Sequence, residues 1–398
     1  MGILLHDIGA LTVETFYQSF IDDLDVDLIN GTELDFEINN RYEPQKITPI
    51  IRYATAEDAK EIVQIYKDLY EGTYPYNEME DVNEVRKMII NTTHKFLIFQ
   101  NSFGTTAGCI TFVLNFEQKI GYIRGFMVKK AFQGRLDTTK AMIGSLFSIL
   151  SQFQNKISRW YVENRTAHTK SQYPMACCGL SPIAFFPNKD IFKGKIESDL
   201  MQILYDSQAL NKNRSKKIPK LIPAAIPIFR YIADRYGLAF EYKKATTSID
   251  LNPDKINSLR NRIAIQKEKD KFGYEQFTIT LEGTESFLKF LYTPQVQNCE
   301  KISYQVENHE EFVVLMDVLL VFMRNRGVRY VEIFVSSYEP DIQRILVNFG
   351  FSPRGYLPSW EYCIETDVYK DKIVFNWYCG PRSEALLIEE ASKLLEFF

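Results

Sequence analysis

From Lys119 to Asn188 the apolar positions change period twice, and the changes define a run of elements. Tyr122-Ile-Arg-Gly-Phe-Met-Val128 is rich in β-branched and aromatic residues and predicts a strand. A basic, glycine-containing turn follows, Lys129-Lys130-Ala-Phe-Gln-Gly-Arg135. Met142, Leu146, Ile149 and Leu150 then recur at close to 3.6 residues and predict a helix, with Thr138 or Thr139 as its cap. Arg159-Trp-Tyr-Val-Glu163 predicts the next strand, and a helix containing Cys177-Cys178 leads into Gly179-Leu180-Ser-Pro. Upstream, Ile51 to Thr55 predicts a strand, Ile62, Ile65, Tyr66 and Leu69 an amphipathic helix, and Lys95 to Gln100 with Ala107 to Phe112 a hairpin.

Beyond Asp190 the pattern shifts. A helix is expected from Glu197 through Tyr205, a basic surface loop from Asn211 to Lys220, and a helix from Ile228 to Tyr236 once Pro219, Pro223 and Pro227 are passed. Alternation of strands and helices restarts near Ala245. Ile256 to Gln266 reads as helix, Tyr274 to Leu281 and Ile302 to Val306 as strands, and Glu310 to Asn325 as an apolar helix closed by Gly327. Val328 to Val335 reads as strand and Pro340 to Phe349 as helix closed by Gly350. Val162 to Pro182 and Val335 to Pro353 therefore share one order: strand, loop, helix, Gly, apolar residue, Ser-Pro. This internal repeat divides the chain into an acidic extension (1–48), a first α/β unit (49–190), a connecting arm (191–244) and a second unit (245–398).

At 398 residues more than one domain is expected, and 45% hydrophobic with 14% aromatic residues supplies a globular core. A net charge of -4, from 47 basic and 51 acidic residues, gives no field for gathering polyanions, so nucleic acid is not an expected partner. The acidic residues Asp22, Asp23, Asp25, Asp27, Glu33, Asp35 and Glu37 and the basic Asn211 to Lys220 read as separate solvated surfaces. Six cysteines without CxxC spacing indicate neither a zinc site nor a disulfide framework. The longest apolar runs, Leu221 to Tyr231 and Phe312 to Met323, are too short to span a bilayer, and the start Met1 to Asp7 has no cationic n-region. A soluble cytoplasmic protein with no membrane partner and no metal is expected.

The N-terminal series resembles the GNAT superfamily of N-acetyltransferases, over about residues 49–190. The family's pyrophosphate loop, Gln/Arg-x-x-Gly-x-Gly/Ala, aligns with Gln133-Gly134-Arg135-Leu136-Asp137-Thr138. Gln133 fits; Leu136 and Thr138 replace the two glycines, and Asp137 adds a negative charge. Ser171, Gly179 and the Ser-Pro exit resemble the family's closing motif. The resemblance implies an α/β fold in two GNAT-like domains, each a mostly antiparallel sheet with a splayed strand pair flanked by helices. It also implies acetyl-CoA or another acyl-CoA as co-substrate, its pantetheine along Phe126, Met127 and Val128, its phosphates at Gln133, Gly134, Arg135, Thr138 and Thr139, and Ser171 nearby. In the second unit Asn308-His-Glu-Glu-Phe312 stands where that loop would be, and two carboxylates at a helix start suit its dipole but not a pyrophosphate.

Transfer to an amine needs a neutral amine beside the thioester carbonyl, with a base and an acid at hand. The family's usual glutamate and tyrosine positions hold Arg124 and Met175, which cannot serve. Glu163, Tyr173, Tyr122 and His168 are the nearest substitutes; the plainer roles are a solvated charge or partner of Arg159 or Arg165 for Glu163, a packing residue for Tyr173 and a loop cap for His168. Tyr70-Glu-Gly-Thr-Tyr-Pro-Tyr-Asn-Glu78-Met-Glu80-Asp81 could clamp a cationic acceptor, an amine-bearing small molecule or protein side chain. Two readings remain: an N-acyltransferase, monomeric or a homodimer, and a non-catalytic protein of the same fold that senses acyl-CoA or binds a protein partner.

Overall fold

Eight strands before residue 206 form the first half of one mixed sheet. The computed structural model describes residues 12–22, 24, 30–34, 36, 46–246 and 249–397. Met1 to Asp7 and the acidic Asp23, Asp25, Asp27, Asp35 and Glu37 lie outside them. The elements of this half are α1 (Val13–Phe20), β1 (Asn30–Glu33), β2 (Ile50–Tyr53), α2 (Ala59–Tyr70), α3 (Val82–Ile90), β3 (His94–Gln100) and β4 (Thr106–Asn115). They continue with β5 (Ile120–Val128), α4 (Thr138–Gln152), β6 (Arg159–Arg165), α5 (Gln172–Cys177), β7 (Ser181–Phe192) and β8 (Lys195–Tyr205).

A connecting stretch holds β9 (Lys220–Leu221) and β10 (Lys243–Lys244), paired in parallel around α6 (Ile226–Arg235). The rest comprises α7 (Pro253–Arg260), β11 (Ile263–Lys269), β12 (Glu275–Leu281), β13 (Phe287–Thr293), β14 (Asn298–Gln305), α8 (His309–Arg326) and β15 (Tyr330–Ser336). It ends with α9 (Pro340–Asn348), β16 (Ser352–Cys363), β17 (Val368–Tyr378) and α10 (Glu389–Ser392).

The sheet runs β1-β2-β3-β4-β5-β6-β8-β7-β16-β17-β15-β14-β13-β12-β11. Read inward from either edge, β2-β3-β4-β5-β6-β8-β7 and β11-β12-β13-β14-β15-β17-β16 have the same order. The two runs meet at one bridge, Gly355 to Ala184. A Cβ on Gly355 would stand 2.4 Å from the Ala184 Cβ and 2.8 Å from the Ile183 carbonyl oxygen, so the junction requires glycine. One apolar core, from Phe185 and Met201 through Phe229 to Val331 and Phe375, crosses it without a break.

Local chemistry explains each element that shapes the cleft. On α2, Ile62, Val63, Ile65 and Tyr66 share the buried face, and the helix stops where Glu71 and Gly72 take positive φ. α4 is buried from Ala141 to Leu150 because β-strands cover one side and α1 the other, with Tyr17 and Phe147 in edge contact at 5.3 Å. Its cap corrects the sequence expectation: Asp137, not Thr138 or Thr139, accepts the Lys140 N–H.

Two further expectations fail for the same reason, the loss of visible periodicity. Residues 197–205 form the strand β8 rather than a helix; burial on both faces from Glu197 to Tyr205 removes the two-residue alternation. β8 also carries the first half of the sheet past residue 190. Likewise 256–266 divides into the end of α7 and the start of β11.

Candidate active site

β5 and β6 run parallel, and their pairing stops early. Ile120 to Ile123 pair with Arg159 to Val162; from Arg124 onward no partner follows on that edge, although β4 still pairs on the other. A bulge makes the departure possible. Met127 lies opposite Cys109 and Arg124 opposite Thr111, leaving one extra residue on β5. Gly125 sits there at φ +64°, and a Cβ would meet the Tyr66 hydroxyl at 2.0 Å. The two strands therefore diverge around a cleft of about 1110 Å³.

One end of the cleft is the turn into α4. Gly134, Thr138 and Thr139 line it, and among the described residues their backbone N–H groups donate to no protein acceptor. Such groups at a helix start favour an anion. Two neighbours are already engaged: the Asp137 N–H donates to the Ile47 carbonyl at 3.0 Å, and the Ile47 N–H donates to the Arg135 carbonyl at 2.7 Å. Leu136 turns its side chain into the core at 2% exposure. Gln133 donates through Nε2 to the Val128 carbonyl at 3.2 Å, on the unpaired edge of β5.

The other end is walled by Tyr70, Tyr74, Tyr76, Tyr122 and Phe192. Tyr66, Tyr70 and Tyr74 form a chain of ring contacts, with Tyr74 and Tyr76 at 5.6 Å. Burial raises the phenols of Tyr70, Tyr74, Tyr76 and Tyr122, so they stay protonated at neutral pH. Asp190 and Asp199, from the β7–β8 hairpin, close this end at 3% and 4% exposure. Burial pushes the Asp199 carboxyl up to about 7, and burial together with the Asp199 charge raises Asp190. Asp199 Oδ1 has no hydrogen-bond partner among the described residues.

Behind the carboxylates lies Lys189, 2% exposed, with Nζ 2.9 Å from Glu163 Oε2, 2.9 Å from Glu332 Oε2 and 3.2 Å from Glu300 Oε1. Burial opposes its charge, but the three carboxylates outweigh that and hold the ammonium well above its ordinary value. Asn188, at φ 58°, lies in the β7 irregularity between Phe186 and Asp190 that turns Lys189 inward. Glu163 comes from the first half of the sheet and Glu300 and Glu332 from the second, so this cluster ties the halves together.

Nearly all the residues singled out by sequence come to this one cleft. Phe126, Met127, Val128, Gln133, Gly134, Thr138 and Thr139 line one side of it, and Glu163, His168, Ser171 and Tyr173 the other. Arg135 does not; it is exposed and outside the lining. Glu163 pairs with Lys189 rather than with Arg159 or Arg165; Arg165 pairs with Glu197 at 2.6 Å. Half-buried His168 is held below its ordinary pKa by desolvation, so its imidazole is neutral at pH 7. Asp190, Asp199 and Lys189 were not anticipated. The signal available is the Pro-Asn-Lys-Asp run of 187–190, in which an apolar strand is interrupted by Pro187 and Asn188 and then carries two opposite charges side by side.

Tyr274 of the second half braces the loop that follows Tyr76 of this wall. Its hydroxyl donates to Glu78 Oε2 at 2.6 Å and accepts the Asn77 N–H at 2.9 Å, while Lys271 meets Glu84 at 2.6 Å. From the other side, the segment after β17 crosses back: the Leu386 N–H donates to the Thr166 carbonyl, and Gln172 bonds Leu386 and Ile388. Ile388, Glu389 and Glu390 join the lining. No group of metal-ligating side chains occurs among the described residues, and no described helix is long and apolar enough to cross a membrane.

No protein-family model matches the chain, and no curated protein matches it. Among solved structures it is similar to a mutant spermidine N-acetyltransferase SpeG from Vibrio cholerae, at 13% identity and TM-score 0.35, over 41% of this chain and 97% of that one. It is also similar to the microcin C7 self-immunity acetyltransferase MccE, solved with acetyl-CoA and AMP, at 16% identity and TM-score 0.32, over 41% and 93% of the two chains. These are likenesses of fold over about two fifths of the chain; what the cleft does is read from its own residues.

Proposed function

We propose that the protein is an acyl-CoA-dependent N-acyltransferase with its donor site in the cleft between β5 and β6. The unpaired edge of Arg124 to Val128 carries the reading. Exposed strand amides and carbonyls can pair with the amide groups of a pantetheine arm as another strand would, and the free N–H groups of Gly134, Thr138 and Thr139 lie where its diphosphate would end. In this reading residues 49–190, continued by β8, form the donor-binding unit, the remainder up to 244 is an arm, and 245–398 is a degenerate copy of the same fold. The acceptor is an amine entering from the tyrosine wall. Glu163 takes the proton that the attacking amine loses, directly or through water, and Tyr173 supplies one to the leaving thiolate, with His168 beside them. Acetyl-CoA or another acyl-CoA supplies the acyl group, and no metal takes part.

Thermal unfolding with CoA and acetyl-CoA tests the donor site. A ligand present at 100 times its dissociation constant contributes about 2.7 kcal/mol; no rise in Tm at millimolar ligand removes the proposal. Arg124 and Met175, which stand where the resembled family has its glutamate and tyrosine and can neither take nor give the proton, favour a second reading, a protein that binds acyl-CoA without turnover. Stabilisation by acetyl-CoA with no acetyl transfer to any amine supports that reading.

A further inference from the structure

Two carboxylates at the blind end of the cleft remain unaccounted for by donor binding. Asp190 and Asp199 are nearly inaccessible, face the cavity, and form no ion pair among the described residues. The neighbouring cations are otherwise engaged: Lys189 with three glutamates, Arg165 with Glu197, Lys193 with Glu71, and Arg329, whose charge also faces Asp190, with the Asn188, Lys189 and Val296 carbonyls and Asn298 Oδ1. Asp199 Oδ1 has no hydrogen-bond partner, and Asp190 Oδ1 has one donor, Asn298 Nδ2 at 3.2 Å. Buried acceptors left so are costly unless a ligand supplies donors. Around them stand Tyr70, Tyr74 and Tyr76, whose ring faces attract cations.

A pair of carboxylates holds an amine in its protonated form, and a protonated amine is no nucleophile. This end therefore suits a charge that is kept, not the nitrogen that reacts. Resting on the transferase reading above, we propose that Asp190 and Asp199 form a subsite for a second ammonium group, so that the acceptor is a diamine or longer polycation rather than a monoamine. One ammonium sits between the two aspartates, inside the tyrosine wall. The other nitrogen, deprotonated, attacks the acyl carbon of acyl-CoA; the C–N bond forms, the C–S bond breaks, nitrogen gives up a proton to Glu163 or water, and the CoA thiolate takes one. The product is a monoamide that keeps one positive charge.

Butane-1,4-diamine and butylamine, titrated into the protein by calorimetry without any CoA, read the subsite alone. The diamine is expected to bind, with butylamine weaker by tenfold or more. The Asp190→Asn, Asp199→Asn double variant is expected to weaken diamine binding by roughly 30-fold or more while leaving stabilisation by CoA unchanged. Both changes mimic protonated carboxyls and keep shape; should the double variant not fold, Asp199→Asn alone serves. Equal binding of the two amines, or a diamine affinity untouched by the substitutions, overturns the subsite. Failure of CoA to stabilise the wild type overturns the donor reading instead, and the calorimetry still decides the cation site.

Discussion

The two halves of the sheet share a strand order and differ in what they leave open. In the first half the link from β5 to α4 runs from Lys129 to Asp137 and presents free N–H groups; in the second, β14 passes to α8 through Val306 to Asn308 alone. There Asn308 accepts the Glu311 N–H and the Glu311 carboxylate accepts the Glu307 N–H at 3.0 Å, so the helix start satisfies itself. Equivalent strand positions differ as well. Glu163 pairs across to Met201, which pairs with Ala184; Phe334 pairs to Val374, which pairs with Gly355, the partner of Ala184. Where the first half has Glu163 at a cleft, the second has Phe334 stacked on Trp360 with ring centroids 5.3 Å apart. Two helices, α2 and α3, lie between β2 and β3, whereas β11 and β12 are joined by the turn that carries Lys271. The same strand order thus surrounds an open cleft in one half and a closed aromatic contact in the other. A few loop and strand-end residues decide which.

The sharpest way to break this comparison is at the cluster joining the halves. Lys189→Met leaves Glu163, Glu300 and Glu332 buried without their cation, and a loss of about 3–5 kcal/mol is expected by denaturant unfolding. A loss under about 1 kcal/mol would show that the halves do not depend on this pairing. Next is the contrast between equivalent positions. Glu163→Gln should lower acetyl transfer by roughly 10²-fold or more, whereas Phe334→Leu should leave it unchanged; equal effects would mean that the cleft was misassigned. Tyr173→Phe lowers turnover by a smaller factor if Tyr173 protonates the thiolate, and CoA binding should not move. The smallest effect is expected at the brace. Tyr274→Phe removes a hydrogen bond to a carboxylate worth about 1.5–3 kcal/mol at most, and should raise the KM for the acceptor several-fold with kcat little altered.

A pH series sharpens the picture further. Asp199 faces Lys189, Glu163, Arg165 and Glu197, and burial lifts it from the ordinary 3.8 to about 7. The folded state favours its protonated form, so its stabilising contribution is full below the ordinary value and disappears as pH rises through about 7. Unliganded protein should lose stability over that interval. Diamine binding should strengthen over the same interval, since the ionised form receives the cation. Asp199→Asn should flatten both profiles.

Much of the cleft was legible because it is made of local signals. The strand at Tyr122 to Val128, the basic turn, the 3.6-residue recurrence of α4 and the Gly179 exit all lie within reach of one another in sequence. The parting of β5 from β6 follows the resemblance those residues carry. What stayed hidden depends on distant partners. β8 is covered on both faces, so its apolar run resembles a helix. Lys189 looks like a surface lysine until Glu163, Glu300 and Glu332 arrive from three other strands. Asp190 and Asp199 are neighbours only through a hairpin whose second strand reads as helix in sequence. Asp137 took the cap from Thr138 because its carboxylate reaches the Lys140 amide, a choice that composition alone left open.

The stretch from Ser383 to Glu390, which follows β17 and returns to the first half, has a consequence for synthesis. The ribosome delivers the walls of the cleft at very different times: β5, α4 and β6 early, the strip bonded to Thr166 and Gln172 more than two hundred residues later. A nascent first half waits with the side beside His168 and Ser171 uncovered until that strip emerges, so ligand capacity should appear late during translation, after the sheet itself has formed.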